Sequence, residues 1–173
     1  AHGGFKNFPS NMPSIISSRK MFNVKDNSIK KGIQKISLKG RLQEIEKGKL
    51  KDIAPNNRLV IDGGHNISAA LSIANWIKSQ NEEVNIICGM LKDKDHLEFM
   101  KCFEGIIKSA TLINIPNQEN SIDKKELKKK LINLKINFKT ANSIKESIES
   151  CSRYQNSITL VCGSLYLIGE ILN

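Results

Sequence analysis

From Arg58 onward, short apolar runs alternate regularly with amphipathic stretches. Val84-Asn85-Ile86-Ile87-Cys88 and Ile158-Thr159-Leu160-Val161-Cys162 are apolar at almost every position, as strands covered on both faces are. Strands are predicted over 58–62, 84–88, 111–115, 136–140 and 158–162. Between them, apolar residues recur at helical spacing, as at Ala69, Leu71, Ile73, Ala74, Trp76 and Ile77. Helices are predicted over 67–79, 96–108, 122–134, 143–152 and 164–172. Strands that alternate with helices of about ten residues argue for parallel βαβ units, whose crossovers put helices on both faces of the sheet. The expected fold is therefore an α/β domain with a mostly parallel sheet of five or six strands, running from about residue 45 to the end. Upstream, the pattern is broken by Gly3, Gly4, Pro9 and Pro13. Helices are predicted over 15–22 and from Asp26 or Ser28 to Ile36, and residues 41–57 read as a connection with local order.

Composition narrows the picture. A chain of 173 residues is one domain, or one domain with a linker. Apolar residues make up 39%, enough for a core, but aromatics only 5%, so Ile, Leu and Val must fill it. No apolar run approaches the roughly 20 residues that span a bilayer, and the first 20 residues have no apolar signal-peptide centre. The reading is a monomeric cytoplasmic protein with no membrane partner. The net charge of +10 suggests nucleic acid, yet the cations are lysines except for Arg19, Arg41, Arg58 and Arg153. The densest run, 124–131, carries leucines at helical spacing and no interleaved aromatics, so it reads as a solvated helix face. No nucleic-acid partner is expected. Cys88, Cys102, Cys151 and Cys162 form no CxxC pair and lack zinc-spaced histidines, so neither a metal site nor disulfides are expected. Cys88 and Cys162 read as small buried hydrophobes.

Candidate chemistry gathers where strands give way to helices, the edge at which open α/β sheets bind ligands. Val60-Ile61-Asp62-Gly63-Gly64-His65-Asn66 is a strand, a tight turn and a helix start. Asp62 can accept from a ribose or orient a cation, and His65 can donate a proton or hold an anion. Equally, Asp62 or Asn66 can simply cap the helix. Cys162-Gly163-Ser164 repeats the layout: Ser164 faces the same crevice if strands 58–62 and 158–162 are neighbours, or serves only as an N-cap. Gly89 through Asp95 lies on this edge too, with Asp95 as the alternative N-cap. Arg41, in Gly40-Arg41-Leu42-Gln43, would suit phosphate, although a surface arginine fits its spacing as well. No P-loop and no Gly-x-Gly-x-x-Gly turn is present.

Taken in order, Gly40-Arg41-Leu42-Gln43, Asp62-Gly63-Gly64-His65-Asn66, Gly89 through Asp95 and Gly163-Ser164-Leu165-Tyr166-Leu167 resemble the C-terminal third of bifunctional dihydrofolate synthase/folylpolyglutamate synthase, of the Mur ligase superfamily. The resemblance implies a Rossmann-like domain of the Mur ligase C-terminal type. It implies an ATP-dependent amide ligase in which a carboxylate of dihydropteroate or folate becomes an acyl phosphate and is attacked by L-glutamate, with Mg2+ balancing phosphate charge. It assigns Arg41 and Asp62 to ATP, His65 and Ser164 to glutamate, and Asn11 to the adenine. No residue is assigned a certain catalytic role. Leu38-Lys39 stand where the family usually has Trp-Pro, and Gly64 and Ile67 where many relatives have Ala and Pro. On this likeness residues 1–44 are the end of a preceding ATP-binding domain plus linker, and 45–173 a glutamate-ligase domain. The chain lacks the P-loop domain and does not start with methionine, so the expectation is a carboxyl fragment, inactive alone. The alternatives are another Mur-type amino-acid ligase domain or a non-catalytic binding module.

Overall fold

The continuous apolar strands point alternate side chains to opposite faces, so each face needs its own cover. In the computed structural model, which describes residues 40–172, both are covered. The elements are β1 (Gln43–Ile45), α1 (Lys49–Ile53), β2 (Arg58–Asp62), α2 (Ile67–Lys78), β3 (Val84–Cys88), α3 (His96–Lys101), β4 (Ser109–Leu112), α4 (Lys124–Lys130), β5 (Phe138–Thr140), α5 (Ile144–Ser152), β6 (Ile158–Cys162) and α6 (Leu165–Leu172). They build one sheet of order β1-β2-β6-β3-β4-β5. All neighbours are parallel except β1, which runs antiparallel to β2 at one edge. The described residues all belong to one unit, Lys39–Asn173.

Val60, Ile86, Leu160 and Leu112 face one layer, where Ile73 and Ile77 of α2, Phe99 and Met100 of α3 and Leu127 of α4 pack on them. Leu59, Ile61, Ile87 and Val161 face the other, against Ile144 and Ile148 of α5 and Leu167 and Ile168 of α6. Phe99 and Phe103 meet edge to face at 5.4 Å, a favoured aromatic geometry. The lysine-rich run forms α4. Leu127 and Leu131 are fully buried while Lys125, Lys128, Lys129 and Lys130 face solvent. Among the described residues no helix is long and apolar enough to cross a membrane.

The strands at 58–62, 84–88 and 158–162 have the expected bounds. Other elements differ. β4 is 109–112 rather than 111–115, because Ser109 pairs in register with Asn85 and its Oγ donates to Asn85 Oδ1 at 2.8 Å. That hydrogen bond lets a polar pair occupy buried strand positions. The helix predicted over 96–108 stops at Lys101. Tight turns follow it, with Phe103 N bonded to Met100 O, and Gly105 sits at φ +74°. The fourth helix begins only at Lys124, after Asp123 caps it with bonds from the amides of Lys125 and Glu126. The fifth strand is shorter than 136–140. The stretch read as a connection holds β1 and α1. The helices predicted over 15–22 and 26–36 lie outside the described residues.

Candidate functional site

The parallel register places Asp62 beside Cys162, so the turns after β2 and β6 open on the same sheet edge. They are tied to each other: Gly163 N donates to Gly64 O at 3.0 Å. Gly163 has φ +104°, and a Cβ there would lie 2.7 Å from Gly89 O, so the sharp exit from β6 needs glycine. A Cβ on Gly64 would meet Ala69 Cβ at 2.8 Å and Asp62 Oδ1 at 2.9 Å. An alanine at this position would therefore require a shift.

Asp62 is 5% exposed and its carboxylate is fully engaged. Oδ1 accepts from Gly64 N at 2.7 Å and from Arg41 Nη1 at 3.1 Å, and Oδ2 accepts from Leu42 N at 3.0 Å. A buried charge needs such partners. The arm carrying Arg41 is pinned further where Gly63 N donates to Gly40 O at 2.8 Å and Gly40 N donates to Gln43 Oε1 at 2.8 Å. Arg41 is thus set beside the turn after β2, with its guanidinium side chain part-exposed.

Asn66 caps α2, its Oδ1 accepting from Ala69 N at 2.9 Å. His65 is half-buried and its Nδ1 lies 3.0 Å from Gly63 O. A carbonyl only accepts, so Nδ1 carries the proton and Nε2 is left for other partners. Asp93 is close enough to sense His65; the Lys94 ammonium, 2.8 Å away, is the main cause that holds its carboxyl below the ordinary range. Asp95 fills the N-cap alternative, accepting from Glu98 N at 3.2 Å. Ser164, 2% exposed, accepts from Tyr166 N at 3.1 Å and so caps α6, while its hydroxyl proton can still be donated. The structure thus brings Arg41, Asp62, His65 and Ser164 to one edge. Asn11 lies outside the described residues.

Two features of this edge escaped sequence reasoning. One is Gln43, whose amide oxygen holds Gly40. The other is the charge at the helix starts. α1, α3, α4 and α5 each have an acid in the first turn, whereas α2 and α6, the helices that follow β2 and β6, have none. Their positive dipole ends are left uncompensated and suit an anion. That signal was readable in the sequence once the helix starts were known. Ile67, Leu165 and Tyr166 add exposed apolar side chains at the same two starts.

Below the edge, Cys88 and Cys162 are opposite each other and buried. The neighbouring Cys88 and burial push the Cys162 thiol well up. Burial takes the Cys151 thiol up to about 11. All four cysteines are free. Among the described residues no group of three His, Cys, Asp or Glu comes together to hold a metal, and Asp62 is already committed to three donors.

The family profile "Dihydrofolate synthetase, C-terminal domain" matches residues 46–173. The chain belongs to this family. The dihydrofolate synthase/folylpolyglutamate synthase of Buchnera aphidicola subsp. Schizaphis graminum is 30% identical over 151 residues, covering 84% of this chain and 33% of that protein. The enzyme of the same description from Haemophilus influenzae is 26% identical over 166 residues, covering 86% of this chain and 38% of the relative. The chain spans about a third of the length of these relatives. Mycobacterium tuberculosis folylpolyglutamate synthase complexed with ADP superposes with a TM-score of 0.73 at 15% identity, over 91% of this chain and 37% of that one. That likeness bears out the Rossmann-like, mostly parallel α/β architecture expected from the sequence.

Proposed function

We propose that this domain is the glutamate-side part of an ATP-dependent amide ligase, one that adds L-glutamate to dihydropteroate or folate through an acyl phosphate. In this reading residues 45–173 form the ligase domain and residues 1–44 include the linker from a preceding ATP-binding domain. Membership of the dihydrofolate synthetase C-terminal domain family supports it. The observation that carries it is the convergence of the Asp62-anchored Arg41 with two helix starts free of first-turn acids. Such an edge attracts phosphate and carboxylate together.

Each residue has a role there. Arg41 stabilises ATP phosphate charge, and Asp62 holds Arg41 and the turn toward the nucleotide. His65, through its free Nε2, and Ser164, through its hydroxyl proton, orient the incoming glutamate. Mg2+ supplies charge balance on the phosphates when bound, and no step through it is placed on these residues. ATP binding fits the ADP held by the Mycobacterium tuberculosis neighbour.

A chimera tests this reading. Residues 40–173 replace the corresponding domain of the Haemophilus influenzae relative, and labelled L-glutamate incorporation into dihydropteroate is followed with Mg–ATP. The expected result is ATP-dependent product that His65→Ala strongly reduces. A folded chimera that makes no glutamylated product overturns the assignment.

A further inference from the structure

We propose that Gln43 is a positioning residue for Arg41. This rests on the reading of Arg41 as a phosphate ligand. Arg41 sits in a four-residue arm whose backbone is costly to hold. Leu42 adopts φ +40°, a left-handed conformation that a leucine rarely takes, and Gly40 adopts φ +72°. A conformation of this kind persists only where the surroundings over-determine it.

Three contacts do so here. Asp62 Oδ2 takes the Leu42 amide, Gly63 N donates to Gly40 O, and Gln43 Oε1 takes the Gly40 amide at 2.8 Å. The first two come from the end of β2 and the turn that follows it. Only the third comes from within the arm, and it closes a loop on itself between Gly40 and the first residue of β1. β1 is in turn fixed by pairing Gln43 with Ile61. Gly40 is buried, and a Cβ there would lie 3.0 Å from Ile168 Cγ2, so the arm has little room for another path.

Arg41 lies between the two ends of this clamp. Without the Gln43 acceptor the buried Gly40 amide loses its partner, and the arm relaxes toward ordinary φ values. The guanidinium then spends less time beside the edge. Gln43 touches neither nucleotide nor glutamate in this scheme; it acts through Arg41.

The test titrates Mg–ATP into the full 173-residue chain and follows the amide resonances of Leu42 and Gly64. Gln43→Met keeps the stem and removes the acceptor; Gln43→Leu serves if that variant does not fold. Affinity is expected to fall about five-fold, the scale of one hydrogen bond. Arg41→Ala is expected to weaken binding by roughly ten-fold or more, as for a charge-assisted contact. In the Arg41→Ala background Gln43→Met should cost nothing further. Gln43→Glu, which retains the acceptor, should keep the Gly40 amide protected from hydrogen exchange while Gln43→Met exposes it. If Gln43→Met weakens binding equally in both backgrounds, or not at all while Arg41→Ala does, the positioning role is wrong and the reading of Arg41 stands. If Arg41→Ala has no effect, the phosphate role of Arg41 fails and the proposal falls with it.

Discussion

Asp62 holds more of this edge together than any neighbouring side chain. One carboxylate accepts from Gly64, Leu42 and Arg41, joining the turn after β2 to an arm 20 residues earlier in the sequence. Substitution by the isosteric amide exposes how much depends on charge and acceptor count. In Asp62→Asn the amide nitrogen must face at least one of the three donors, and no rotation of the side chain avoids it. A buried donor left without an acceptor costs about 2 kcal/mol. Asp62→Asn is therefore expected to lower unfolding free energy by that order in urea titrations and to shift the Leu42 or Gly64 amide resonance. Unchanged stability with unchanged amide shifts would mean that the carboxylate is not the tie described here. The acid was legible in the sequence as part of Asp62-Gly63-Gly64-His65-Asn66, and so was Arg41. Their contact was not, because it depends on β1 turning back antiparallel beside β2, and three residues of strand leave no periodic trace.

Among the elements, legibility followed burial. β2, β3 and β6 are covered on both faces, so their runs are apolar at most positions and their limits were readable to the residue. β1 and α1 bury only part of Ile45, Leu50 and Ile53, and they are too short for a period to emerge. Helix starts are decided by caps rather than by apolar spacing, and α4 shows the consequence. Its apolar pattern begins at Ile122, but Asp123 takes the amides of Lys125 and Glu126 and fixes the start at Lys124. Those two amides are also the main cause that lowers the Asp123 carboxyl below its ordinary value. The folded state therefore releases this proton more readily than the unfolded state. The cap's contribution is present in full above the unfolded value of about 4 and is lost as pH falls through the lower folded value. The amide shifts of Lys125 and Glu126 should titrate together with a midpoint below that of an unstructured aspartate. A midpoint at or above the unstructured value would show that the cap does not form.

On the scale of the whole molecule, the order of the sheet makes the chain's last strand its centre. β2 and β3 are joined through α2, yet they do not touch as strands; β6 lies between them and pairs with both along five positions. Ile158, Leu160 and Cys162 fill one core layer and Val161 the other, all fully buried. The same strand leads into Gly163 and Ser164, so the site edge and both cores close only when the sequence-distant ends of the domain meet. Contacts of such separation form late and together, which predicts a single cooperative transition rather than stepwise loss of helices. A chain ending at Asn156 removes β6 and α6 while leaving every other element intact in sequence. If the sheet were a sum of local βα units, the remaining five strands would keep much of their structure. The pairing argues otherwise, since the cut splits the sheet into a β1-β2 ribbon and a β3-β4-β5 sheet with no seam between them. The truncated chain should show no cooperative thermal transition and a collapsed amide spectrum by NMR. A dispersed spectrum with a sharp transition would mean that β2 and β3 can pair directly, and that the central position of β6 is not what unites the two halves.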